Sequence, residues 1–395
     1  MRRFLLILLV CSLILLESSC VGLRQINELA IVTAVGIDSG NKPGTVKLSA
    51  QIIRPADARG QTGAPAGGTG QPIYSISAEG NTIFDAIRNL GRFSSRRVYW
   101  AHNFLIVMSE SYARQGIRDM VDFFTRNHEL RMNTWVAVTS DKPDELISTI
   151  TGIEVVPGEA VDKLFRNNQI VGLAPGSNMM NLEEALLSSS AEPVVARLQL
   201  QPRGISNKKP EEHGSLKQVE LAGAAVFRDD KMLGWLTPKE TRVSLFFLER
   251  LESGIEVIDC PNDDNRRLTL EFKNAHMTVK PFYENKTPRY HIRLKTTADI
   301  VESGCNIPVE QLREAAEASL EKLMKQRIQN VLDKAQKQYH SDFLKLGDVF
   351  RNKYPREWKR VGKDWEQLFA GAKFEIETYV DIKSAVVKAA GDGIK

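Results

Sequence analysis

The chain has 395 residues, two to three times an ordinary domain, so two or three units with cores of their own are expected. Hydrophobic residues at 42%, charged at 26% and aromatic at 7% exclude wholesale disorder, a fibrous repeat and a polytopic membrane protein. Lys+Arg 53 against Asp+Glu 49, a net +4, is too slight for a dedicated nucleic-acid binder.

The first element is a targeting signal. Arg2 and Arg3 precede an apolar run from Phe4 to Leu16, after which come Glu17, Ser18, Ser19 and Cys20. That run makes about 20 Å of helix at roughly 1.5 Å per residue, short of the ~30 Å hydrocarbon core. It therefore reads as an export signal, residues 1–19, removed from the mature chain. Small residues before a cysteine resemble the bacterial lipobox, in which the cysteine is acylated and becomes the new N-terminus, so Cys20 is the candidate lipidation site. Glu17 stands where an aliphatic residue is usual, with Leu16 one place earlier; cleavage near Ser19 without acylation is the alternative. Either route places the bulk outside the cytoplasm. The mature chain loses Arg2, Arg3 and Glu17 and carries a net +3, too little to hold it on anionic lipid without acyl chains. Apart from Cys11 and Cys20, Cys260 and Cys305 remain, either joined in an oxidising exterior or left as two free thiols.

Next, LAIVTAVGID (29–38) and TVKLSAQIIR (45–54) are β-rich runs around a Gly-, Asn- and Pro-containing turn, which predicts a hairpin. Residues 55–72 hold almost no large apolar side chain and read as a flexible loop; their GGTG lacks phosphate-loop spacing and a following lysine. A strand, IYSISAEG, leads to Thr82 and Asp85, which cap a helix with Ile83, Ala86, Ile87 and Leu90 on one side. VYWAHNFLIVMS is a strand, Ser109 or Ser111 caps a helix over YARQGIRDMVDFFTRN, MNTWVAVTS is a strand, and DKPDELIS starts a helix. Such alternation favours helices packed on a sheet. NMMNLEEALLSSS and PVVARLQLQP add a helix and a closing strand.

The charged segment Ser206 to Ser215 marks a boundary or a long hairpin loop. After it come a strand, an Asp229-Asp230-Lys231 turn, a strand, and a helix with Thr237 as N-cap, Pro238 first and Glu240 closing a capping box. From Leu268 three strands follow, LTLEFKNA, MTVKPFYE and RYHIRLKTTADIVES, the last alternating with one wet face. From Pro308 to Tyr339, apolar residues at 312, 316, 320, 323, 324, 328, 331, 332 and 335 specify a long amphipathic helix. Shorter helices broken by Pro355 and a last strand, KFEIETYVDIKS, complete the chain. The expected class is α+β and multidomain: an N-terminal α/β-type layered domain (20–205), a small middle β/α domain (206–263), and a C-terminal antiparallel sheet with a long helix (264–395).

Catalytic machinery is not advertised, and the chain reads as no enzyme, with no cofactor and no metal. HELRM at His128 begins like a zinc-protease helix, but Met132 stands where the second histidine belongs. Without a G-x-S-x-G elbow, Ser188, Ser189 and Ser190 read as a polar helix end, and Asp229 and Asp230 as turn formers. His102 reads as a core histidine before a ligand-facing one, and Trp358 and Trp365, seven apart on one helical face, as core before ligand grip.

The lipobox-like cysteine followed by RQINELAIVTAVGID, then NTIFDAIRNLGRFSSRRVYWAHNFLIVMSE, GIRDMVDFFTRNHELRMNTWVAV, AGAAVFRDDKMLGWLTPKETR and YHSDFLKLGDVFRNKYPREWKRVGKDWEQLF, resembles the Ger(x)C family over nearly the whole mature chain. Val21 stands where that family usually has tryptophan. The resemblance implies a three-domain lipoprotein, palmitate-type acylated at Cys20, on the outer face of the spore inner membrane. It further implies the C subunit of a nutrient germinant receptor, partnered by a polytopic A subunit and a transporter-like B subunit. A solute-binding lipoprotein delivering nutrients to membrane subunits, with an inter-domain cleft of convergent polar groups, is the alternative, and an exported hydrolase a more distant one.

Overall fold

The computed structural model describes residues 3, 28–54, 73–149, 156–205, 215–249, 251–261 and 263–385. Cys20 with its signal, the expected loop at 55–72 and the charged segment at 206–214 lie outside the described residues.

The hairpin expected first is present as β1 (Leu29–Ser39) and β2 (Val46–Ile53), and β3 (Ile73–Gly80) pairs with β2. The Thr82 side chain accepts from the Asp85 amide and opens α1 (Ile83–Leu90), which buries Ile83, Ala86 and Leu90. β4 (Arg97–Tyr99) and β5 (Leu105–Ser109) lie in succession along β1, both parallel to it. Ser109 caps α2 (Glu110–Gln115); Gly116 at φ 134° stops it, so the run expected as one helix is two, α2 and α3 (Arg118–Arg126). β6 (Trp135–Thr139) pairs parallel with β5 and is followed by α4 (Pro143–Ser148), α5 (Pro157–Val171) and α6 (Met179–Leu187). β7 (Val194–Ile205) pairs parallel with β6, and β8 (Ser215–Arg228) and β9 (Lys231–Leu236) return antiparallel. The sheet order is β3-β2-β1-β5-β6-β7-β8-β9, with β4 beside β1.

Both faces of this sheet are covered, which is why β5 reads as a continuous apolar run. Ile106 and Met108 face a core with Ile83, Ala86, Met120 and Phe124 from α1 and α3. Leu105 and Val107, one residue out of phase, face Leu146 and Ile147 of α4 and Val161 and Phe165 of α5.

Thr237 and Glu240 form the expected reciprocal capping box at the start of α7 (Pro238–Leu248). β10 (Ser253–Cys260), β11 (Asp263–Glu284) and β12 (Thr287–Ser303) then pair antiparallel. β11 joins the two strands expected from Leu268 onward: the register shifts between Lys273 and His276, where Asn274 adopts φ 54°, so a bulge and not a turn separates them. Of the span 206–263, β8 and β9 belong to the first sheet and β10 to the second, with α7 between them.

The long helix is α8 (Val309–Asp333), continued by a π-helical turn at Lys334–Tyr339. Leu312, Ala316, Leu320, Met324, Ile328, Val331, Leu332 and Ala335 are all buried against the second sheet, as their spacing requires. α9 (Leu346–Lys353), α10 (Pro355–Val361) and α11 (Trp365–Ala370) lead to β13 (Lys373–Ala385). β13 pairs parallel with β12, so the sheet expected to be antiparallel is mixed, its last strand returning through helices instead of a hairpin. On the outer side of β13, Glu321 Oε1 accepts from the Val380 amide and Glu317 Oε1 from the Ile382 amide, both at 2.9 Å. Two carboxylates of α8 thus satisfy edge amides that would otherwise invite another strand. Cys260 and Cys305 are disulfide-bonded, with Cα atoms 5.5 Å apart.

Candidate functional site

The side chains singled out from sequence do not converge. His128 lies in an exposed turn after α3, not on a helix, which removes the zinc-protease geometry altogether. His102, expected in the core, is exposed in a turn with its ring edge-on to Tyr99 at 6.3 Å; its neighbour Trp100 takes the buried position instead. Ser188 is the C-cap residue of α6, and Asp229 and Asp230 form the β8–β9 turn with Asp229 at φ 50°, as expected of a helix end and a turn. Trp358 and Trp365 pack against each other with centroids 5.3 Å apart and against Phe350, in a core cluster.

Two polar arrangements that sequence did not single out are built by the fold. The first joins the two sheets. Ser341 Oγ donates to the Phe227 carbonyl at 2.6 Å, Tyr339 OH to the Trp235 carbonyl at 2.9 Å, and the Glu192 amide to the Asp342 carbonyl at 3.1 Å. A Cβ at residue 234 would stand 2.7 Å from the Tyr339 hydroxyl, so Gly234 admits that close approach. Asp342 is buried and accepts from the Leu346 amide (3.0 Å), the Gly347 amide (2.6 Å) and Trp365 Nε1 (3.0 Å). Burial nevertheless pushes its carboxyl up to about 6, with the Asp348 charge adding to the rise. Burial likewise raises Glu192 to about 7, helped by the charges of Asp229 and Asp342, although the Asp229 amide donates to it. Ser341, Tyr339 and Asp342 spend their hydrogen bonds on backbone groups and Trp365, so the arrangement is a joint.

The second is an open cavity of about 760 Å³ between the end of α1, β4 and the end of α3. Arg88, Arg92, Arg96, Arg97 and His128 line it with one carboxylate, Glu129. Glu129 is engaged by Arg97 at 2.7 Å. Arg88 lies over the Phe84 ring at 4.8 Å, and among the described residues Arg88, Arg92 and Arg96 have no carboxylate partner. Phe84, which lines the cavity, and Phe93, next to Arg92 in the chain, are 51% and 56% exposed. The arrangement suits an anion with an apolar margin. A net charge near zero concealed it; the local signal was four arginines without Asp or Glu between residues 88 and 97.

On the second sheet, His291, Glu375 and Glu377 bring one potential ligand atom each within 4.8 Å. Arg293 holds Glu377 at 2.8 Å and His291 approaches the same oxygen at 3.2 Å, so a guanidinium already occupies the carboxylate a cation would require. The pair keeps the Glu377 carboxyl below its usual value, the Arg293 hydrogen bond contributing most.

Comparison with known proteins adds what geometry alone does not. The family model described as spore germination protein N-terminal domain matches residues 22–200, and that described as spore germination B3/GerAC like, C-terminal, matches residues 222–385. The chain belongs to the Ger(x)C family of spore germination proteins. Among Ger(x)C relatives of Bacillus subtilis (strain 168), spore germination protein KC is 25% identical over 379 residues, 93% of this chain and 92% of that protein. Spore germination protein B3 is 22% identical over 365 residues, 91% of each. The crystal structure of the GerBC protein shares the Ger(x)C fold with a TM-score of 0.54 at 19% identity, covering 91% of this chain and 99% of that one. Among the described residues, no helix is long and apolar enough to cross a membrane.

Proposed function

We propose that this Ger(x)C chain is the non-catalytic, lipid-anchored C subunit of a nutrient germinant receptor. It is held by Cys20 at the extracytoplasmic face of the spore inner membrane and docks there on the polytopic A and B subunits. The observation that carries the reading is the match to both family models in order across residues 22–385, directly behind an apolar leader that ends at Cys20. Tethering suits such a subunit, because confinement to one surface raises effective concentration without any new contact. Its preference for one state of the assembly then couples nutrient binding to ion release. Labelled palmitate is expected in the wild-type chain and not in Cys20→Ala, with affinity capture from spore inner membrane recovering two polytopic partners. Absence of both label and partners refutes the reading.

A further inference from the structure

We infer that the arginine-lined face around Arg88, Arg92 and Arg96 is a docking surface for an anionic lipid bilayer. Among the described residues, three guanidiniums without carboxylate partners line the cavity with Phe84, over which Arg88 lies, and the exposed Phe93 follows Arg92 directly in the chain. That combination places cations at phosphate level and aromatic rings at the boundary with the acyl chains. Glu129, the one carboxylate of the cavity, is neutralised by Arg97 and leaves the excess positive charge uncompensated.

The chain's own course points the same way. Leu29, the first residue of β1, registers with Arg97 of β4, so the described chain begins on this face. Only residues 21–28 separate it from Cys20, a reach of about 30 Å even when fully extended. This step rests on the lipid-anchored reading: an acyl group at Cys20 keeps the arginines within a short tether of the headgroups. The acyl chains hold the chain at the surface without fixing its orientation, and a basic patch adds an electrostatic attraction that turns this face toward the headgroups. The mature net charge of +3 understates this, because attraction to a surface depends on charge within a Debye length of it, about 8 Å at physiological ionic strength.

The test uses the full chain carrying Cys20→Ala, so that acylation plays no part, and reads its partition onto phosphatidylcholine vesicles with and without added phosphatidylglycerol. Binding to neutral vesicles measures the apolar leader and the phenyl rings; because every variant keeps Arg2 and Arg3, the change in the anionic increment between variants measures the patch. Each guanidinium near an anionic surface is worth roughly fivefold in affinity, so R88Q/R92Q/R96Q is expected to lose about a hundredfold of that increment. Phe93→Ser is expected to weaken binding several-fold while leaving its salt dependence unchanged. Removing the same charge elsewhere, with K359Q/R360Q/K363Q on exposed positions around α10, is expected to change little. An increment that survives the triple arginine change, or that falls equally in the remote variant, overturns the proposal. So does saturation of the cavity by inorganic phosphate without any vesicle binding. If the triple variant keeps its anionic increment but loses the polytopic partners in affinity capture, the face is a protein interface and the proposal falls. Failure of palmitate labelling with the increment intact refutes the anchor and leaves the docking surface standing.

Discussion

Breaking the Cys260–Cys305 bridge gives a sharp test of how the C-terminal unit is held together. The two cysteines are 45 residues apart and buried, one at the end of β10 and the other just beyond β12, so the bridge ties together the ends of strands flanking β11. In the chain-entropy treatment, a closed loop of that length restricts the unfolded ensemble by about 4 kcal/mol at 25 °C. With a urea dependence of roughly 2–3 kcal/mol/M, the unfolding midpoint is expected to fall by about 1.3–2 M when the bridge is absent. The assay is urea unfolding followed by fluorescence and circular dichroism, on the oxidised chain, the chain reduced to completion by thiol titration, and the variants C260S, C305S and C260S/C305S. Paired cysteines act as a unit, so both single variants and the double variant should cost nearly the same. Coincident midpoints for oxidised and fully reduced chains, or single effects that simply add in the double variant, would refute the entropic argument and the pairing together.

The acidic joint makes stability depend on pH in a definite direction. Asp342 and Glu192 have folded values of about 6 and about 7, above the ordinary 3.8 and 4.5, so the folded chain holds protons that the unfolded chain has released. Their contribution is complete below the ordinary values and is lost as pH rises through about 6 to about 7. Asp342, fully enclosed, accounts for up to about 3 kcal/mol, and the partly open Glu192 for less than its shift implies. Unfolding midpoints measured between pH 5 and 8 should fall with rising pH, and E192Q should flatten the upper half of that decline; an unchanged slope in E192Q contradicts the assignment. Glu256 is 3% exposed and pairs with Arg242 at 3.0 Å and Arg327 at 2.5 Å, linking α7 to α8. Glu256→Ala removes the carboxylate shared by two largely enclosed guanidiniums, although Arg242 keeps the Ile255 and Val171 carbonyls, and is expected to cost about 3 kcal/mol in chemical denaturation; a change within experimental error excludes a structural part for the trio.

How much of this was legible depends on whether a signal was local. The capping box at Thr237 and Glu240, the Thr82 cap and the row from Leu312 to Ala335 are written in a few adjacent residues, and the structure repeats them. α5 gave no comparable signal at its start, where Val156 stands at the N-cap with no side-chain cap, and it is held by long-range packing of Val161 and Phe165 under the sheet. β10, whose exposed Ile255 and Val257 alternate with buried neighbours, was hidden among acidic residues. The parallel placement of β13 also escaped, because strand direction is decided by the connection and not by the strand's own pattern. The arginine face was readable as a run but not as a surface, since only folding brings His128 and Glu129 to residues 88–97. The joint at Asp342 was not readable at all, its partners being Glu192, Phe227 and Trp365.

The parallel strand β13 also has a consequence for the order of biosynthesis. β12 keeps a bare edge, and α8 lacks the strand it packs on, until residues 373–385 are made and return past the intervening helices. The second sheet therefore closes only once β13 has followed α8 to α11 in synthesis, and a nascent chain stalled short of that point presents a sticky flank to its neighbours.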